Sequence, residues 1–99
     1  MSVNTSYIVD AAGNTLMTLP TTCAVGDVIS LTNKNATGTF RVRQTAGVTV
    51  YFDQLATTTG INGYVQVTNT GARASIQIVC VTANTDWNVL SSIGTFTIV

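Results

Sequence analysis

Apolar and polar positions alternate with a period of two along most of this chain, the pattern of strands with one face turned to a core. The pattern is densest over residues 71–92, G-A-R-A-S-I-Q-I-V-C-V-T-A-N-T-D-W-N-V-L-S-S. Ile76, Ile78 and Cys80 fall on one face of a first strand, with Val79 and Val81 on the other. Both faces are apolar, which predicts a strand deep in a sheet with cover on each side. Ala83, Asn84, Thr85 and Asp86 supply turn chemistry. The return strand sets Trp87 and Val89 against Asn88 and Leu90, with Trp87, the single tryptophan, as a core anchor.

The rest of the chain reads as strands laid against this hairpin. Residues 6–10 form a short strand, and Gly13-Asn14 turns it back into a hairpin partner at 15–19, with Leu16 and Thr18 on one face and Met17 and Leu19 on the other. Pro20 ends that strand, since it has no N–H for a ladder bond. Residues 28–32 alternate Val28, Ser30 and Thr32 against Ile29 and Leu31. Residues 40–44 alternate Phe40, Val42 and Gln44 (inward) against Arg41 and Arg43 (outward). After a strand at 48–52, residues 53–62 show no periodicity and predict an exposed loop. Residues 63–68 place Tyr64, Gln66 and Thr68 opposite Val65 and Val67, Asn69-Thr70-Gly71 turns into the hairpin, and a last strand covers 95–99. No stretch has helical spacing with caps. The expected fold is all-β: one domain, 1–99, an antiparallel β-sandwich of jelly-roll type with about eight or nine short strands.

Composition changes this picture in one respect. Charged residues are 8% of the chain and hydrophobic ones 45%, with mean hydropathy +0.38, so polarity comes from Thr, Ser, Asn and Gln. Neutral net charge and a pI near 5.8 remove the electrostatic drive for nucleic-acid binding. There is no polybasic run, no basic amphipathic helix and no apolar run of ~20 residues, so membrane insertion is not expected. The first residues, M-S-V-N-T-S-Y-I-V, do not have the form of a signal peptide. Low charge near neutrality promotes association, which predicts a multimer.

Several phrases carry a resemblance: T-L-M-T-L-P, A-V-G-D-V-I-S-L, G-T-F-R-V-R-Q-T-A-G and S-I-Q-I-V-C-V-T-A-N-T-D-W-N-V-L-S-S-I-G. In order and spacing, from about Tyr7 to Val99, the chain resembles the distal all-β modules of viral tail fibres, spikes and related bacterial proteins. The resemblance implies a compact, often trimeric module for attachment or assembly, on a virion surface or otherwise extracellular, and it carries over no defined binding residue. If the chain is complete, it departs from the fibre pattern in having no shaft sequence before the module; a cut-out domain and a free-standing protein both stay open.

Candidate chemistry is sparse. There is no histidine and no glutamate, so a Ser-His-Asp or Cys-His relay cannot be built within one chain. The carboxylates are Asp10, Asp27, Asp53 and Asp86; the first, second and fourth sit at expected turns, which explain them. No zinc, calcium or phosphate-loop spacing occurs, and no cofactor is implied. Cys23 and Cys80 have two readings: a disulfide tying loop 21–26 to the central strand, or two separate buried thiols, which the lack of a secretory signal favours. Arg41 and Arg43 also have two: a fork for acidic sugars or carboxylates, or charges that protect an edge strand or bridge to a neighbouring subunit. The second is favoured. Tyr51 and Tyr64 flank the 53–62 loop as candidates for stacking on sugar.

Candidate ligand-binding residues are therefore Tyr51, Asp53, Gln54, Tyr64, Arg41 and Arg43; no residue is proposed as catalytic or metal-binding. Candidate residues of a trimer seam are Val79, Val81, Phe96, Ile98 and Val99. The leading reading is a non-enzymatic fibre or spike head, a homotrimer that attaches to a host-surface glycan or protein. Behind it stands a purely structural trimerisation or capsid-decoration module, and last a glycan hydrolase with an intersubunit site at Asp53.

Overall fold

The structure is a computed structural model that describes residues 1–68 and 73–99. The expected turn at Asn69-Thr70-Gly71, and the first two residues of the 71–92 stretch, lie outside the described residues. Ten strands follow in order: β1 (Thr5–Val9), β2 (Gly13–Thr18), β3 (Val28–Asn33), β4 (Gly38–Arg43), β5 (Thr49–Phe52), β6 (Leu55–Ala56), β7 (Tyr64–Val67), β8 (Ser75–Thr82), β9 (Asp86–Ile93) and β10 (Phe96–Ile98). They form a six-stranded sheet, β1-β3-β8-β9-β5-β6, and a four-stranded sheet, β10-β7-β4-β2.

The two sheets share one core. Ile29, Leu31, Val50, Ile76, Ile78, Cys80 and Trp87 from the larger sheet bury against Phe40, Val42, Val65 and Val67 from the smaller. Phe52 and Phe96 bridge the layers, with ring centroids 6.0 Å apart. The all-β, two-sheet architecture agrees with the sequence reading, but the sheets are mixed rather than antiparallel: β1 runs parallel to β3, β2 to β4, and β5 to β9.

The expected hairpin between the first two strands does not form. β1 joins the six-stranded sheet and β2 the four-stranded one. The chain crosses between layers at residues 10–12, directly over the equivalent crossing between β3 and β4. Gly38 permits this contact, because a Cβ there would stand 2.3 Å from the Ala11 carbonyl oxygen. The crossings are tied by Lys34 N donating to the Val9 carbonyl at 2.8 Å, and by buried Asn33, whose Nδ2 donates to the Gly38 carbonyl at 2.7 Å. Turn residues signal a reversal, but whether the next strand pairs or changes layer depends on which partner covers its apolar face.

The β8–β9 hairpin is present, with β8 between β3 and β9. Cover on both faces is not. Ile76, Ile78 and Cys80 are buried, whereas Val79 is half-buried and Val81 is 41% exposed. Register shifts fall between Gln77 and Ile78 and between Cys80 and Thr82, so Leu90 and Val81 are extra residues of bulges. β8 alternates strictly from Ser75 to Cys80, so Val79 points to the uncovered outer face, and only Val81, the extra residue of a bulge, departs from the alternation.

Candidate functional site

Period-two alternation drives Phe40 and Val42 of β4 into the core, both wholly buried, and turns Arg41 and Arg43 outward. β4 is not an edge strand: it lies between β7 and β2. The edge-protection reading of the arginines is therefore corrected. Leu16, Arg41 and Gln66 stand opposite one another across the sheet, and Thr18, Arg43 and Tyr64 form the next row.

Arg41 is clamped in place. Its Nε donates to Gln66 Oε1 at 2.8 Å, and its guanidinium lies 3.8 Å from the centroid of the Tyr64 ring. Gln66 is held in turn, its Nε2 donating to Asn14 Oδ1 at 2.9 Å and to the Val67 carbonyl at 2.8 Å. Thr39 Oγ1 donates to the same Asn14 oxygen at 2.9 Å. Arg43, by contrast, is exposed, and its side chain has no partner among the described residues.

The net charge of zero hides a polarised distribution. Asp10 follows β1, Asp27 precedes β3, Asp53 turns β5 into β6, and Asp86 opens β9, so all four side-chain carboxylates belong to the six-stranded sheet and its connections. Asp27 accepts from Ala24 N at 2.9 Å and from Asn4 Nδ2 at 3.1 Å, the turn role expected of it. Among the described residues the one ion pair is Lys34–Asp10, exposed and at 3.8 Å. No side-chain carboxylate neutralises Arg41 or Arg43.

Beside the arginines the segment after β6 closes a cleft of about 410 Å³, lined by Leu16, Arg41, Arg43, Ile61, Asn62, Gly63 and Tyr64. Buried Gln44 fixes that segment. Its Nε2 donates to the carbonyls of Val48 at 2.7 Å, Thr58 at 2.8 Å and Gly60 at 3.0 Å, and its Oε1 accepts from the Thr57 hydroxyl. Gly63 lets the segment fold back on itself, since a Cβ there would meet the Thr58 carbonyl oxygen at 1.9 Å. Ile61, 71% exposed, and Leu16, 50% exposed, form the apolar walls.

Residues 53–62 are largely exposed, as expected, but they are not all loop. They contain β6, and Thr57 is buried. Of the candidate ligand residues, Arg41, Arg43 and Tyr64 come together. Tyr51, Asp53 and Gln54 lie apart from them, on β5 and its turn into β6 in the other sheet. Tyr64 presents one ring face to Arg41, so it serves to position that guanidinium. Leu16, Ile61, Asn62 and Gln66 were not singled out by sequence. The β7 alternation had put Gln66 on the Tyr64 face, but the lateral pairing that sets Leu16 and Gln66 beside Arg41 has no local signal.

The candidate seam residues separate. Phe96 and Ile98 are half-buried against the core, Val99 exchanges backbone hydrogen bonds with Tyr64 at 3.0 Å, and Val79 and Val81 stand on the outer side of the larger sheet. Cys23 and Cys80 are buried free thiols, and they are neighbours. Burial first, then hydrogen bonding with Cys23, pushes the Cys80 thiol up to about 12. Among the described residues no group of three or more His, Cys, Asp or Glu is placed to hold a metal. No family model, no curated protein and no solved structure matches this chain.

Proposed function

We propose that this domain is a non-enzymatic attachment module, the head of a fibre or spike displayed as a homotrimer on a virion or other extracellular surface. In this reading the cleft on the four-stranded sheet contacts a host-surface glycan or protein. One observation carries it: two arginines stand on an interior strand, uncompensated by any side-chain carboxylate, at the mouth of a cleft with exposed apolar walls. A clamped arginine loses little freedom on binding, which favours recognition. Weak single contacts would be multiplied by the repeat of the module in an assembly. Labelled multimeric protein on candidate host cells tests the reading. Arg43→Ala and Ile61→Asp should each remove most surface binding while the fold is kept. Undiminished binding by both variants would refute a role for the cleft.

A second reading, assembly without a ligand, is favoured by the outer face of the six-stranded sheet. Two rows cross it, Ile8-Thr32-Ser75-Ile93 and Ser6-Ser30-Gln77-Ser91, without a single charge. Ile8 and Ile93 are more than 60% exposed, at 64% and 67%. This face suits self-association, and the two readings are compatible in one trimeric head.

A further inference from the structure

We infer that the cleft takes a sugar bearing one carboxylate, such as a uronic or sialic acid, with the carboxylate between the guanidinium groups of Arg41 and Arg43. This deepens the recognition reading and rests on it. Alternate residues of one strand lie about 6.6 Å apart on the same face. Two like charges carried at neighbouring positions of one face repel each other, and an anion between them relieves the repulsion. Among the described residues no side-chain carboxylate pairs with either arginine: Asp86 lies on β9, Asp10, Asp27 and Asp53 lie in the connections beside β1, β3 and β5, and the described ion pair is between Lys34 and Asp10. Arg41 spends its Nε on Gln66 and one flat face on Tyr64, which leaves its terminal nitrogens as donors with a fixed direction. Arg43 is free to complete a fork of the planar kind that carboxylates match.

The number of charges sets the ligand class. Two cations in an otherwise uncharged cleft match one anionic group, whereas nucleic acids and highly sulfated chains call for a basic stripe. The remaining lining is Leu16 and Ile61, the Asn62 amide and the backbone at Gly63. Apolar walls meet the C–H faces of a pyranose ring, and an amide meets its hydroxyls. A volume of about 410 Å³ lies within the usual range for small-molecule sites.

The test is titration of the domain with N-acetylneuraminic acid and glucuronic acid, with their uncharged methyl esters, with inorganic sulfate, and with a short peptide ending in a free carboxylate. The acid sugars should bind and the esters should lose about tenfold or more in affinity, the scale of a charge-assisted hydrogen bond. Arg43→Lys, which keeps the charge and loses the fork, should weaken the acid sugars by about tenfold. Arg43→Gln should abolish their binding with Trp87 emission unchanged. Esters binding as well as acids would overturn the carboxylate assignment and leave the recognition reading standing. Sulfate matching the acid sugars would reduce the site to a simple anion site, and preference for the peptide would make the ligand a protein; either overturns the inference. If none of the probes binds while multimeric protein still labels cells through the cleft, the ligand class is wrong and the recognition reading survives.

Discussion

Gln44 connects the core to the cleft, and replacing it with methionine separates its hydrogen bonds from its volume. The side chain is 3% exposed and meets three carbonyls and one hydroxyl. The carbonyls of Val48 and Gly60 keep a second donor, Gly60 N at 2.9 Å and Gly63 N at 3.2 Å respectively. The Thr58 carbonyl and the Thr57 hydroxyl proton keep none among the described residues. Two stranded polar groups cost about 1–3 kcal/mol each. Thr58 lies at the surface, where water recovers part of that cost. Gln44→Met should therefore destabilise the domain by about 2–4 kcal/mol. Urea unfolding followed by the emission of Trp87, whose ring is wholly buried, should show the midpoint lowered by about 1–3 M. Thr57→Val should be coupled to it by more than about 0.5 kcal/mol in a double-mutant cycle. A variant within about 0.5 kcal/mol of the parent would refute the account of this segment as hung from Gln44.

Three other outcomes are expected. Gly63→Ala drives a methyl into the Thr58 carbonyl and should cost about 1–3 kcal/mol while weakening any ligand of the cleft, measured by the same unfolding curves and by titration. Because the Cys80 thiol titrates at about 12 when folded and its ordinary value is 9.0, the unfolded chain releases the proton first; stability is intact below pH 9 and falls between pH 9 and 12. The decline should reach at most about 1.4 kcal/mol per pH unit and flatten in Cys80→Ala, as read by unfolding at stepped pH. Leu90→Lys places a charge on an exposed bulge residue of the larger sheet; it should leave the monomer folded and lower the solution mass by light scattering if that face is the seam.

Where burial is local in sequence, the fold was legible. The alternation in 40–44 assigned Phe40, Val42 and Gln44 inward correctly, and in 28–32 and 64–67 it separated the buried residues from the rest, because each strand has one covered face. Lateral partners were not legible. The 10–14 stretch has the chemistry of a hairpin turn, yet the chain there passes from one sheet to the other, a choice made by contacts with Gly38 and Lys34 far along the sequence. The bulges at Val81 and Leu90 have no local mark either. The same limit governs the site. The outward direction of Arg41 and Arg43 followed from period two, but their place on an interior strand followed from pairing with β2 and β7. That placement turned the preferred explanation of the arginines from edge protection to a cleft.

The central claim is that this cleft is where the domain meets its ligand. The most direct measurement is a backbone amide NMR titration of isotope-labelled domain with a sialylated oligosaccharide. The account predicts shifts concentrated at Leu16, Arg41, Arg43 and residues 61–64, with the β5–β6 turn at Asp53 and Gln54 unmoved. Shifts confined to that turn or to the outer face of the six-stranded sheet would contradict it.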